Sequence, residues 1–192
     1  MEFRTDRLGL LLEQLETSRE ISHARLAGVS DAEYLWEPTP SAWSVRRRGA
    51  AATAHAFGAG DWVLDRVHPE PDPAPVATIA WRVGHLWAGF SQRWDWTFGD
   101  HALREDALEF TPSAAVALER WWTLLEQWQA SVAALTDEQM DRVGFGQFPG
   151  GLDPQVPFIA IVWWTNREFI HHMAEIALLR DLWSVRGAAG RL

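Results

Sequence analysis

TPSAAVALERWWTLLEQWQASVAAL, residues 111–135, is the stretch that decides the fold class of this chain. Its apolar residues recur at steps of three and four, the period that places side chains on one face of an α-helix. They are Leu118, Trp121, Trp122, Leu125, Trp128, Val132 and Leu135. Thr111 followed by Pro112 is typical of a cap residue and a first helical position. The stretch therefore predicts a long amphipathic helix that begins at Pro112.

Three further long helices follow from the same apolar period. We expect them over Thr5–Ala27, from a cap at Thr78 to about Trp96, and from about Phe158 to Val185. Gly28 stands where a glycine commonly ends a helix. No period-two run of β-branched residues appears, so the sequence offers no evident strand. These patterns together predict an all-α protein built as an antiparallel four-helix bundle.

The connection between the first and second main helices is predicted to be long and irregular. Residues 41–75 lack a clear period, and residues 68–75 (HPEPDPAP) carry four prolines, which forbid a continuous helix. Residues 144–157, rich in glycine and proline, separate the third helix from the last. They lack the preceding strand and the spacing of a dinucleotide-binding loop. At 192 residues the chain is expected to form one domain, residues 1–192.

The composition restricts the chemistry that the chain can perform. Cysteine is absent, which excludes disulfides and a thiol nucleophile, and all 17 basic residues are arginine, which excludes a lysine Schiff base. A net charge of -9 argues against nucleic-acid binding. We expect the triplet Arg46–Arg48 to be a solvated loop rather than a phosphate clamp. Without a signal-peptide pattern or a membrane-length apolar run, a cytoplasmic location is predicted.

Glu168 and His172 have a spacing that indicates a metal site. Residues four apart on a helix lie on one face, about 6 Å apart along its axis. A carboxylate and a neutral imidazole suit Zn²⁺, Ni²⁺, Fe²⁺ or Mn²⁺, and His85 on the second main helix is the candidate third ligand. The same spacing is common where a histidine is simply hydrogen bonded, so both interpretations stay open. His171 points about 100° away and is not expected to bind the ion.

Three segments resemble the DinB superfamily of helical metal-binding proteins. They are residues 166–182 (NREFIHHMAEIALLRDL), 78–85 (TIAWRVGH) and 33–47 (EYLWEPTPSAWSVRR). The resemblance implies that a histidine of the second main helix and two ligands four residues apart on the last helix hold the ion. Those positions are His85, Glu168 and His172. Many members have histidine in place of Glu168, and the glutamate is similar to the branch of mycothiol-dependent maleylpyruvate isomerase.

The resemblance implies a divalent-metal-dependent enzyme, with zinc favoured over nickel, iron or manganese. Because the chain lacks cysteine, a thiol would come from a small external molecule such as mycothiol. We expect S-transferase, isomerase or detoxification chemistry on a small-molecule substrate. The alternatives are a hydrolase that activates water with the same ligands, and a non-catalytic scaffold that binds metal or dimerises.

Several residues near this constellation are assigned lesser roles. Glu175 and Asn166 are candidates to orient a metal ligand, with a plain surface role as the alternative. Arg180 is expected to pair with Glu175 or Asp181, and His55 is a candidate fourth ligand. With 13 tryptophans, some rings should lie in a homodimer interface or a substrate cavity. Trp81 and Trp163 are the pocket candidates.

Overall fold

The computed structural model describes residues 6–186, so Thr5, the predicted start of the first helix, lies outside the described residues. Over that range the four long helices are present, joined by two short helices and two short strands. In chain order the elements are α1 (Arg7–Leu26), α2 (Asp31–Tyr34), β1 (Val45–Arg47), β2 (Trp62–Leu64), α3 (Ile79–Phe98), α4 (Ala114–Ala133), α5 (Asp137–Asp141) and α6 (Phe158–Val185). The predicted all-α class is therefore confirmed.

The helix ends agree with the sequence patterns except at α4. Thr78 caps α3 as predicted, its hydroxyl accepting a hydrogen bond from the Trp81 amide at 3.1 Å. The prediction that α4 begins at Pro112 is wrong, because Ser113 is its cap. The Thr111 hydroxyl accepts instead from the Ser113 amide. The first amide of α4 donates to the carboxylate of Asp31, a residue of α2. A partner distant in sequence thus starts the helix.

Two pairs of neighbouring long helices run antiparallel. In both pairs, residues late in one helix contact residues early in the other. The contacts are Phe98–Phe158 and His85–His172 between α3 and α6, and Glu16–Gln129 and His23–Trp122 between α1 and α4. These pairs match the predicted antiparallel bundle.

The other two neighbouring pairs run parallel, and there the antiparallel prediction is wrong. The contacts are Phe90–Trp121 and Phe98–Trp128 between α3 and α4, and Leu11–Asn166 and Arg25–Asp181 between α1 and α6. Residues 99–113, between the parallel helices α3 and α4, return the chain to the end of the bundle at which α3 began. The apolar period of a helix fixes its buried face and leaves its direction open.

The core between the four long helices is aromatic. Trp121 and Trp128 of α4 are fully buried, and they pack against Phe90 and Phe98 of α3. Trp122, displaced by one residue, is only partly buried, as the helical period requires. Burying each such ring stabilises the fold by roughly 1.5–3 kcal/mol, so these aromatic contacts hold α3 and α4 together.

The connection between α1 and α3 contains a two-stranded antiparallel sheet, which the sequence analysis did not predict. Val45 pairs with Leu64, and Arg47 with Trp62. Each strand has three residues, too few to show a period of two, although Val45, Val63 and Leu64 are buried.

Along residues 6–186, no helix combines the length and the apolar character required to cross a bilayer.

The carboxylate of Asp65 organises this connection. It is fully buried and accepts hydrogen bonds from the Ser44 amide at 3.1 Å, the Ala52 amide at 3.1 Å and Nε of Arg46 at 2.8 Å. Arg46 therefore forms an internal ion pair. The expectation that the arginine triplet is a solvated loop is wrong for this residue. Arg48 likewise donates to backbone carbonyls of residues 58 and 60. These arginines link separate parts of the connection to one another.

Candidate metal centre

The structure brings His85, Glu168 and His172 together. His85 lies on α3, and the other two lie one turn apart on α6, which packs antiparallel to it. One ring nitrogen or carboxylate oxygen from each residue lies within 4.8 Å of the others. The imidazole centroids of His85 and His172 are 4.9 Å apart, and Nε2 of His172 is 3.7 Å from Oε2 of Glu168. All three side chains are partly buried, so the atoms converge at the edge of the bundle core.

The orientation of His172 is set by residues outside the triad. Nδ1 of His172 lies 2.8 Å from Oε2 of Glu175, and the guanidinium of Arg82 also donates to Glu175. Nη1 of Arg82 lies 3.2 Å from the same Nδ1, but the Glu175 carboxylate is the closer neighbour and can only accept, so we assign the proton to Nδ1, which donates to Glu175. The lone pair of the imidazole is then on Nε2, the nitrogen that faces Glu168. Glu175 thus contacts a proposed ligand, as the sequence analysis anticipated.

Glu168 is held in a similar way through one oxygen. Its Oε1 accepts a hydrogen bond from Nη2 of Arg167 at 2.7 Å. Oε2 is the oxygen on the side of His172. The carboxylate therefore has one oxygen bound by the protein and one directed at the triad.

His85 is positioned by stacking. Its ring lies parallel to the Trp81 indole, with centroids 4.9 Å apart and planes 9° apart. Trp81 is fixed in turn, because its Nε1 donates to the Asp65 carbonyl at 2.8 Å. Burial lowers the pKa of His85 to about 3, assisted by His172 and by the Arg93 and Arg82 charges. Burial also lowers the pKa of His172, although Glu175 opposes this. Both imidazoles are therefore neutral near pH 7.

The three side chains fit a divalent transition-metal ion. A cation of this class takes neutral imidazole nitrogens and a carboxylate oxygen, and three protein ligands leave positions open for water or substrate. The depressed pKa values keep both lone pairs available. The outer hydrogen bonds to Glu168 and His172 match the arrangement that orients ligands in metalloproteins. The donor chemistry alone does not select among zinc, nickel, iron and manganese.

A pocket of about 240 Å³ opens beside the triad, with His85 in its wall. Its other walls come from the connection around β2, from α3, from the 144–157 loop and from α6. The lining includes Trp81, Arg66, Gln92, Arg93, Phe148 and Trp164. Trp81 is therefore a pocket residue as predicted. The wall is aromatic with two arginines and two carboxylates, those of Asp65 and Glu105, and it gives a small molecule access to the His85 side of the triad.

Several predicted assignments of single residues are wrong. Asn166 does not contact a ligand, because its side-chain amide donates to the Leu11 carbonyl at 2.8 Å and links α6 to α1. Arg180 pairs with Glu33 at 2.8 Å rather than with Glu175 or Asp181. These partners lie on α1 and α2, whose positions relative to α6 a single-helix spacing does not reveal.

The remaining candidates also lie away from the triad. Trp163 is 55% exposed and does not line the pocket, whereas its neighbour Trp164 does. Among residues 6–186, His55 is outside the group of converging ligand atoms, and its Nδ1 accepts instead from the His68 amide at 3.3 Å. His171 is exposed on another face of α6, as the helical spacing predicted.

Arg82 and Arg93 belong to the same region but were not predicted as site residues. A signal was present, because Arg82, His85, Gly89 and Arg93 follow one another at steps of three, four and four. This spacing places one non-apolar stripe along α3, a helix whose other buried residues are mostly apolar. Such a stripe indicates the wall of a polar site.

The comparison with known families agrees with the sequence resemblance. The model of the DinB superfamily matches residues 14–176, a range that contains His85, Glu168 and His172. A search of curated proteins found no match, and a search of solved structures found none either. The match covers most of the chain and includes the helices that bring the triad together. The chain belongs to the DinB superfamily.

Proposed function

We propose that this protein is a divalent-metal-dependent enzyme whose ion is held by His85, Glu168 and His172. The observation that carries the proposal is the convergence of the three donor atoms within 4.8 Å, beside a pocket that reaches His85. Zinc is the favoured ion, because a site with two imidazoles, one carboxylate and an open position is common for catalytic zinc. When bound, such an ion lowers the pKa of a thiol or water and polarises a substrate.

We further propose that the reaction joins a small external thiol to an electrophilic small molecule. The chain has no cysteine, so the sulfur nucleophile comes from solution. Glu168 makes this triad similar to the mycothiol-dependent branch of the superfamily, which supports a mycothiol-like thiol. Trp81 and Glu175 hold His85 and His172 in place, and the aromatic wall of the pocket offers a surface for the apolar part of the electrophile.

Elemental analysis tests the metal ligands. Protein purified without added metal should contain about one transition-metal ion per chain, and His172→Ala should lose it. His171→Ala is the matched control, because it removes a neighbouring histidine that faces away from the triad. Metal retained by His172→Ala, or lost equally from both variants, would show that other residues bind it.

A thiol-consumption assay tests the reaction class. Zinc-loaded protein should accelerate the loss of mycothiol or glutathione in the presence of an electrophile such as 1-chloro-2,4-dinitrobenzene. His172→Ala should stay at the uncatalysed rate, and His171→Ala should match wild type. Metal-loaded protein that leaves every thiol at the background rate would contradict the transferase proposal without affecting the metal site.

A further inference from the structure

Arg93 is a buried cation that the proposed metal site does not use. It lies on α3, two turns after His85, and is 7% exposed. Its Nε lies 3.2 Å from Oδ1 of Asp153, and its guanidinium lies over the Trp164 ring at 4.3 Å and near the Phe148 ring at 4.7 Å. Neither terminal nitrogen donates to another residue within the range 6–186. Only Nε is fully enclosed, so the two terminal nitrogens are unpaired donors that remain accessible.

Those donors face the pocket beside the triad. Arg93 lines that pocket together with His85 and with Gly89, which lies between them on the same stripe of α3. A Cβ added to Gly89 would meet Nη1 of Arg93 at 3.6 Å and no other heavy atom within 4 Å. The arginine side chain therefore reaches back along the helix to the level of Gly89. That level is about 6 Å along the axis from His85.

The 144–157 loop is built closely around the other side of Arg93. A Cβ on Gly151 would lie 3.0 Å from Nη2 of Arg93 and 2.5 Å from Oδ2 of Asp153, so only glycine fits there. Asp153 is 1% exposed and belongs to the same loop. The loop thus closes one side of the guanidinium, and the pocket side is left for a ligand.

We propose that Arg93 is the anion-binding residue of this pocket and that it anchors the carboxylate of a small, flat aromatic acid. The unpaired Nη1 on the pocket side can donate to a carboxylate oxygen, and the flanking Trp164 and Phe148 rings suit a flat hydrocarbon body. A carboxylate at Nη1 places the next few atoms of that molecule toward His85. As an assignment of substrate class, this inference rests on the proposed function; as a binding site, it stands alone.

Charge supports the same assignment. Asp153 balances Arg93, and Arg167 balances Glu168. A divalent ion at the triad would therefore leave the region with a net positive charge. An anionic substrate would neutralise it, whereas a cationic substrate would be repelled.

Binding of benzoate to metal-free protein tests the proposal independently of the ion. Isothermal titration after chelator treatment should detect benzoate, and benzamide, which has the same shape without the charge, should bind at least tenfold more weakly. The double variant Arg93→Gln with Asp153→Asn removes the ion pair without leaving a buried charge. It should weaken benzoate binding on the order of tenfold to a hundredfold.

Two further variants separate binding from folding. Gly89→Leu leaves every charge in place, improves helix propensity and fills the space in front of Nη1, so it should abolish benzoate binding in a folded protein. Arg7→Gln removes an arginine from the surface pair with Asp141 and should bind benzoate as wild type does. Circular dichroism confirms folding of each variant.

The outcomes separate this inference from the metal proposal. Equal affinity for benzoate and benzamide, unchanged binding in the double variant or in Gly89→Leu, or no binding by wild type would overturn the role of Arg93. Elemental analysis decides the metal ligands separately, so either proposal can fail without the other.

Discussion

Neighbours outside the triad orient His172. Its ring is placed on one side by Glu175, which itself pairs with Arg82, so a chain of contacts from α3 reaches a residue of α6. The Glu175 side chain is 45% exposed, yet its oxygen lies 2.8 Å from the imidazole. The ligand nitrogen is therefore selected by hydrogen bonding before any ion arrives.

Glu175→Gln should weaken zinc binding by about tenfold, because the amide is a poorer partner for the Nδ1 proton and the imidazole becomes less basic. Competition with a chromophoric chelator measures the affinity. Asp181→Asn is the matched control, since it neutralises another carboxylate on α6 that pairs with Arg25 at the surface. Equal affinities for the two variants and wild type would contradict a positioning role for Glu175.

At this scale, sequence was informative only for residues related by spacing along one helix. Glu168, His172 and Glu175 share a face of α6, so their proximity follows from the helical repeat. Bringing in His85 required a resemblance to a known family, because no local rule relates α3 to α6. The role of Arg93 was not predicted, because its partner Asp153 lies in a loop 60 residues further along the chain.

The connection between α1 and α3, which contains β1 and β2, supports the site from outside the four long helices. Asp65 joins β1 to the following turn through its carboxylate, and its carbonyl holds the Trp81 indole on which His85 stacks. A loop that the sequence predicted to be irregular therefore fixes one wall of the triad. Its order comes from a buried charge network, which leaves no periodic trace in sequence.

Asp65→Ala should lower the free energy of unfolding by about 3 kcal/mol, because it leaves the Arg46 charge without its buried partner. Urea unfolding monitored by circular dichroism measures the loss. Glu37→Ala removes the exposed partner of the same arginine and should cost less than about 1 kcal/mol. Similar losses in the two variants would show that Asp65 is not the organising group.

For the whole molecule, sequence predicted the number of long helices and their buried faces, and it failed on relative direction. The apolar residues of α4 have the same spacing whether the neighbouring helix runs parallel or antiparallel to it. Direction depends on how far the connections travel, and the segment of residues 99–113 has no period from which its path follows. The bundle alternates two parallel and two antiparallel contacts between neighbouring helices for that reason.

Metal binding should stabilise the whole bundle, because the proposed ligands join α3 to α6. Zinc at about 100 times its dissociation constant should raise the free energy of unfolding by about 2.7 kcal/mol over chelator-treated protein. Thermal or urea unfolding measures the difference. His171→Ala should show the same gain, and His172→Ala should show almost none. A gain that survives in His172→Ala would place the stabilising ion elsewhere.

The order of the helices along the chain has a consequence for biosynthesis. His85 leaves the ribosome well before Glu168 and His172, and at about 5–20 residues per second the delay is on the order of ten seconds. During that interval the nascent polypeptide carries only one of the three proposed ligands. An ion at the proposed site would therefore be acquired late, after α6 has been translated.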